Sequence, residues 1–106
     1  MSLQAGDVYY ANLSPARGTE QRGERPVIVI SAVSPGSRAI VVPMTTRLRG
    51  WPTRVRLDLP GVSSEAMCEQ VRAIDTDRLD EDLYGRVRRE VLVDIQRTVA
   101  RLIGVF

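Results

Sequence analysis

The sequence predicts a small, mainly β domain ending in one helix, and three observations carry that prediction. Apolar residues alternate, or run in short β-branched blocks, through roughly the first two thirds of the chain. Pro and Gly punctuate those blocks with turn chemistry. In the last third the apolar period changes to three and four residues.

Gly6 to Leu13 reads as the first strand, because Val8, Tyr9 and Tyr10 favour extended backbone. Ser14 to Glu24 reads as a loop, rich in Arg, Glu, Gln and Gly. Pro26-Val27-Ile28-Val29-Ile30-Ser31 is a continuous β-branched run, which marks a strand buried on both faces. Ser34-Pro35-Gly36-Ser37 is a turn, and Ala39 to Met44 is the return strand of a hairpin. Thr46 to Pro52 forms a second loop. Arg54 to Leu59 alternates strictly, with Val55, Leu57 and Leu59 on one face, and Pro60-Gly61 ends it. Met67 to Ile74 is expected as a fifth strand, and a short helical turn is expected around Asp77–Leu83. Val87, Val91, Leu92, Ile95, Val99, Leu102 and Ile103 then trace one face of an amphipathic helix. Five short strands and a helix suggest a closed or nearly closed β-barrel with the helix packed on it, since closure removes exposed edges. With 106 residues and no internal linker, 1–106 is expected to be a single domain.

Composition excludes much chemistry. All 15 basic residues are Arg, there is no His, and Cys68 is the one cysteine. A His-based triad, a Schiff-base lysine, a P-loop lysine and a disulfide within the chain are therefore impossible. Residues 1–56 hold eight Arg against three acids, a net +5, while residues 57–106 carry a net −3. The all-Arg usage is read as genomic habit. The clustering in the first half points modestly to an anionic partner, because the guanidinium fork suits phosphate. No apolar run approaches the ~20 residues of a membrane span. The start has neither the basic nor the apolar region of a signal peptide. With one unpaired Cys, this makes the cytoplasm the expected compartment.

Several groups of residues invite a functional reading, each beside a plainer one. Arg25 lies between a polar loop and a buried strand, where ligand groups are held rigidly; equally, it closes the loop by a salt bridge to Glu24. Thr45 and Thr46 end a strand and either face a cleft or merely turn the chain. Glu69, Gln70 and Arg72 fall on the expected fifth strand, where the Glu is either half-buried against an Arg or merely exposed at an edge, the second being the favoured reading. Trp51, flanked by Arg47, Arg49 and Arg54, could stack an unpaired base or serve as a packing plug or dimer contact. Asp75, Asp77, Asp80, Glu81 and Asp82 lack EF-hand spacing and read as a solvated acidic face, so no metal is expected. Cys68 reads as an inert core thiol.

The run Gly6-Asp7-Val8, Pro15, Gly18-Thr19-Glu20-Gln21, Gly23, Arg25-Pro26-Val27 resembles the opening motif of the MazF/PemK/Kid toxin family. The likeness continues through Pro43-Met44-Thr45, Glu69-Gln70-Val71-Arg72-Ala73-Ile74-Asp75, Arg78-Leu79 and the closing helix. Thr19 stands where Ser is commoner, which keeps the hydroxyl. The resemblance implies a small SH3-like β-barrel with a C-terminal amphipathic helix packed on it. It also implies a homodimer that cleaves single-stranded RNA without metal or cofactor, neutralised by a cognate MazE-like antitoxin. The catalytic pair then falls on Arg25 and Thr45. The residues Arg17, Thr19, Glu20, Gln21, Arg47, Gln70 and Arg72 are expected to line the RNA site.

Cleavage without metal would use the RNA's own 2′-OH, giving a 2′,3′-cyclic phosphate and a 5′-OH end. Arg has a pKa above ~12 and rests protonated at neutral pH, so it is a poor base. The expected roles are therefore phosphorane stabilisation and proton donation for Arg25, a phosphate hydrogen bond for Thr45 and base catalysis for Glu20. The competing classes are a CcdB-like non-catalytic gyrase poison on the same fold and a plain RNA-binding barrel.

Overall fold

The computed structural model of the chain describes residues 3–14, 18, 23–33, 37–59 and 61–105. Among these residues seven strands precede one helix: β1 Asp7–Asn12, β2 Glu24–Val33, β3 Arg38–Thr45, β4 Arg54–Leu59, β5 Val62–Met67, β6 Arg72–Asp75, β7 Gly85–Arg86 and α1 Arg89–Leu102. The antiparallel sheet runs β4-β5-β3-β2-β1-β7, with β6 also pairing β3. It curls into a half-barrel against which α1 packs. Among the described residues no ladder joins β4 to β7; Leu59 simply reaches across toward Gly85.

The β-branched run behaves as expected, since Val27, Ile28, Val29 and Ile30 are all buried. Alternation sends them to two different cores. Ile28 and Ile30 join Val8, Val42, Met44, Leu57, Leu59, Ala66 and Cys68 around the fully buried Ile95 of α1. Val27 and Val29 join Tyr9, Ala11, Leu13, Ala39, Val41, Ile74 and Leu79 on the opposite face. The helix thus covers one face of the sheet, while the strap after β6 and the inner side chains of β1 cover the other. At the start of β1, Gly6 adopts φ +99° and gives its N–H to Val29 O at 2.7 Å. The buried Asp7 carboxylate beside it accepts from Gln4 N and Arg86 Nε, both at 3.0 Å.

Two expectations are corrected. Met67 to Ile74 is not one strand: β5 ends at Met67, a 3₁₀ turn spans Cys68–Gln70, and β6 begins at Arg72. The missed strand β5 contains Ser63, Ser64 and Glu65, so its apolar pattern is interrupted although Ser64 and Glu65 are buried. Its pairing with β4 over six register positions overrides that weak local signal. The helical turn near Asp77–Leu83 is a 3₁₀ turn at Thr76–Arg78, after which Leu79 bridges to Ala11. Of the hairpin turn between β2 and β3, Ser34, Pro35 and Gly36 lie outside the described residues.

Candidate active site

Strands β2 and β3 pair up to Val27 opposite Pro43. Carried two residues further, the same register brings Arg25 opposite Thr45, where the ladder has ended and the strands part. Arg25 and Thr45 there line two clefts at once. One, of about 330 Å³, is walled by Tyr10, Pro26, Met44, Leu59 and Tyr84. The other, of about 170 Å³, is walled by Arg47, Arg49, Arg54 and Met67. The pair forms the partition between an apolar, aromatic compartment and a cationic one.

The partition is chemically open. Arg25 Nη1 donates to Met44 O at 3.3 Å, and its buried Nε has no partner among the described residues. No carboxylate among the described residues forms an ion pair with Arg25, and Glu24 is exposed, so the loop-closing salt bridge is not made. Thr45 Oγ1 accepts the Arg47 N–H at 3.1 Å, which leaves the hydroxyl proton available to donate to an anion. In the first cleft the Tyr10 and Tyr84 rings meet edge to face with centroids 4.9 Å apart. Burial, with Tyr84 adding to it, raises the Tyr10 pKa.

The loop after Thr45 is held by a carboxylate that sequence reasoning missed. Glu65, buried on β5, accepts the backbone N–H groups of Arg49 at 3.0 Å and Gly50 at 2.7 Å, and Arg54 Nη1 at 3.2 Å. The Arg49 N–H is the main reason that its pKa falls below the usual carboxylate value; Gly50 and Arg54 add to the effect and outweigh burial. Arg54 also grips Glu69, with Nη2 to Oε2 at 2.7 Å, and Thr53 Oγ1 donates to Glu69 at 2.7 Å. Burial alone would raise the Glu69 pKa, but the bonds from Arg54 and Thr53 bring it down. The Arg54 side chain is only 7% exposed, and its guanidinium lies over the Trp51 ring, 4.4 Å from the centroid. Arg49 lies over the same ring at 5.1 Å. Trp51 therefore already carries two intramolecular cation–π contacts. Glu65 had no local signature, because its backbone partners lie 15 and 16 residues earlier in the chain.

Of the other expected site residues, Arg47 lies in the cationic cleft. Gln70 sits in the 3₁₀ turn and Arg72 on β6 opposite Val41, and neither lines the two clefts described. Arg72 Nη1 is buried without a partner among the described residues. Arg17, Thr19, Glu20 and Gln21 lie outside the described residues. Cys68 is buried, and burial pushes its thiol up to about 12, as expected of an inert core thiol. Among the described residues no cluster of three or more His, Cys, Asp or Glu is placed to hold a metal. No helix there is long and apolar enough to cross a membrane.

Residues 4–103 match the family described as PemK-like, MazF-like toxin of type II toxin-antitoxin system. Endoribonuclease EndoA of Bacillus subtilis (strain 168) is 39% identical over 93 residues, covering 78% of this chain and 79% of that one. The crystal structure of MazF from Deinococcus radiodurans superposes with a TM-score of 0.87 at 26% identity, covering 96% of each chain. A MazE-MazF structure from the same organism matches with a TM-score of 0.78 at 27% identity, covering 98% of this chain and 97% of that one.

Proposed function

The chain belongs to the PemK-like, MazF-like toxin family of type II toxin–antitoxin systems and is an RNA-cleaving toxin; from that premise we propose how it cuts. A single-stranded RNA lies across the two clefts with its scissile phosphate at the Arg25–Thr45 partition. The observation that carries this reading is the Arg25 guanidinium, whose buried Nε has no partner among the described residues at the wall shared by both clefts. A buried donor without a partner costs on the order of 1–3 kcal/mol, which an incoming phosphate oxygen recovers.

The 2′-OH of the nucleotide before the cleavage point attacks the adjacent phosphorus. Arg25 holds the developing charge of the phosphorane and gives a proton to the leaving 5′-oxygen. Thr45 donates to a non-bridging oxygen, and Glu20 takes the 2′-OH proton. The P–O5′ bond breaks, leaving a 2′,3′-cyclic phosphate and a 5′-OH. Arg17, Thr19, Gln21, Arg47, Gln70 and Arg72 contact the RNA on either side. No step uses a cofactor or a metal.

The same reading includes a second copy of the chain and an antitoxin. The exposed Leu102 at the end of the helix, with Ile103 and Val105 just beyond it, offers an apolar surface that favours a homodimer. The arginines around the cleft suit an acidic, extended MazE-like segment, in keeping with the MazE-MazF neighbour. Toxin, RNA and antitoxin then meet in the cytoplasm. The gyrase-poison alternative gains no support from these relatives.

The decisive experiment incubates the purified protein with mixed-sequence RNA in EDTA and maps the ends. Cuts at one short motif with 5′-OH and cyclic-phosphate ends are expected. Intact RNA, or cutting only when divalent metal is restored, would sink the mechanism.

A further inference from the structure

The cationic cleft is more than an extension of the partition. Its four guanidiniums are not equivalent. Arg54 is neutralised by Glu65 and Glu69, whereas Arg25, Arg47 and Arg49 form no ion pair among the described residues. Arg47 and Arg49 sit on a loop tied at both ends. Thr45 Oγ1 accepts the Arg47 N–H, and the Glu65 carboxylate accepts those of Arg49 and Gly50. Gly50, at φ +66°, takes the left-handed conformation that turns the chain back over the carboxylate. Thr45 and Glu65 are themselves register partners between β3 and β5. One rung of the sheet thus fixes both ends of the loop. A buried anion inside the turn holds two arginines at a cleft that no acid lines among the described residues. At about 170 Å³, with arginine walls and little apolar surface, the space suits an oxyanion and not a base.

We propose that this compartment is a subsite for a second, non-scissile backbone phosphate of the RNA, and that Glu65 is the positioning residue that shapes it. The inference rests on the RNA-cleavage reading and adds to it. Arg25 and Thr45 engage the phosphate that is cut, Arg49 and Arg47 engage a neighbouring one, and substrate is held at two phosphates. Glu65 touches no RNA; it acts through the Arg49 and Gly50 backbone.

The test is a charge scan of one RNA that the protein cuts. Each linkage except the scissile one is replaced in turn by a neutral methylphosphonate at a 2′-deoxy nucleotide, with the 2′-deoxy phosphodiester as control. In the wild-type protein, one position is expected to lose about 10-fold or more in kcat/KM, the scale of one charge-assisted contact. In Arg49→Ala that position-specific loss is expected to shrink to about 2-fold or less, because the contact is already missing. Glu65→Gln cannot accept both backbone N–H groups with its amide, so it is expected to raise KM and flatten the scan while largely keeping kcat at saturating RNA. A merely structural carboxylate would lower the unfolding midpoint and leave the scan unchanged. If Glu65→Gln fails to fold, the Arg49→Ala scan decides alone.

A flat scan in the wild-type protein overturns the subsite. So does an identical scan in wild type and Arg49→Ala, even where Arg49→Ala weakens binding of a synthetic Glu-rich peptide, which would assign the arginines to an acidic protein partner. Failure to cut the unmodified RNA is a separate outcome that removes the parent reading.

Discussion

Thr45 and Glu65 face each other across the ladder between β3 and β5. Antiparallel partners project to the same side, so a hydroxyl at the cleft and the carboxylate that anchors the next loop leave the sheet together. Arg54 extends the relationship: its guanidinium joins Glu65 to Glu69 while stacking on Trp51. The cleft is therefore built by a polar cluster, not by the apolar cores alone, and that cluster supplies the first prediction.

Arg54→Ala leaves two carboxylates without their shared cation, one of them 4% exposed at the side chain. Breaking a buried pair from one side costs about 3–5 kcal/mol. Urea unfolding should show a loss of that size, and Arg54→Lys should recover only part of it, because an ammonium cannot reproduce the planar fork. Loss under about 1 kcal/mol would mean that the cluster contributes little to stability.

Arg25→Ala should separate stability from activity. Its side chain makes one long hydrogen bond to Met44 O among the described residues. The unfolding free energy should change by less than about 1 kcal/mol. The single-turnover cleavage rate should fall at least about 100-fold, as when one strong transition-state donor is removed. A variant that cuts RNA normally would remove Arg25 from the mechanism.

Glu20→Gln tests the base. The chain has no His, and Cys68 is held near 12, so neither supplies a proton acceptor near neutral pH. If Glu20 accepts the 2′-OH proton, its amide should slow single-turnover cleavage and abolish the acid limb of the pH–rate profile. An unchanged rate and profile would assign the base elsewhere.

Acid stability follows from Glu65 and Glu69, whose folded pKa values lie below the ordinary 4.5. At acid pH the unfolded chain binds more protons at these sites than the folded one. Their stabilisation is therefore complete above about pH 5 and is lost as pH falls through the depressed folded values. The urea midpoint should drop between pH 5 and pH 3, and Glu65→Gln/Glu69→Gln should show a smaller drop across the same window. A drop as steep as that of the wild-type protein would place the titrating groups elsewhere.

Cys68 should resist Ellman's reagent in the folded protein at pH 8. Its thiol is fully buried, and burial raises its pKa to about 12, so thiolate is scarce and inaccessible. Labelling should appear only with denaturant, at the rate of unfolding. Fast labelling of the native protein would show that the seam between the Cys68–Gln70 turn and α1 opens readily.

Much of this protein was legible in its residues. The run Val27 to Ile30 required a strand covered on both faces, and two cores now cover it. The three- and four-residue period after Val87 required a helix with one buried face, and Ile95 is its fully buried centre. Local pattern placed Arg25 and Thr45 at strand ends and left a cleft role and a plainer one open for each; only the resemblance to a toxin family paired them, because local pattern reports on which face of an element is apolar and where it stops.

Tertiary structure decided what depends on partners distant in sequence. β5 was hidden because Ser64 and Glu65 break the apolar pattern, yet β4 supplies a ladder that local propensity cannot express. The 3₁₀ turn at Cys68–Gln70 took Glu69 off the expected strand and turned it toward Arg54. Glu65 looked like an ordinary strand carboxylate until a loop 15 residues upstream folded over it. Hydrophobic periodicity is local and is written along the chain. The partners of a buried charge are long-range, and only the register between β3 and β5 selects them.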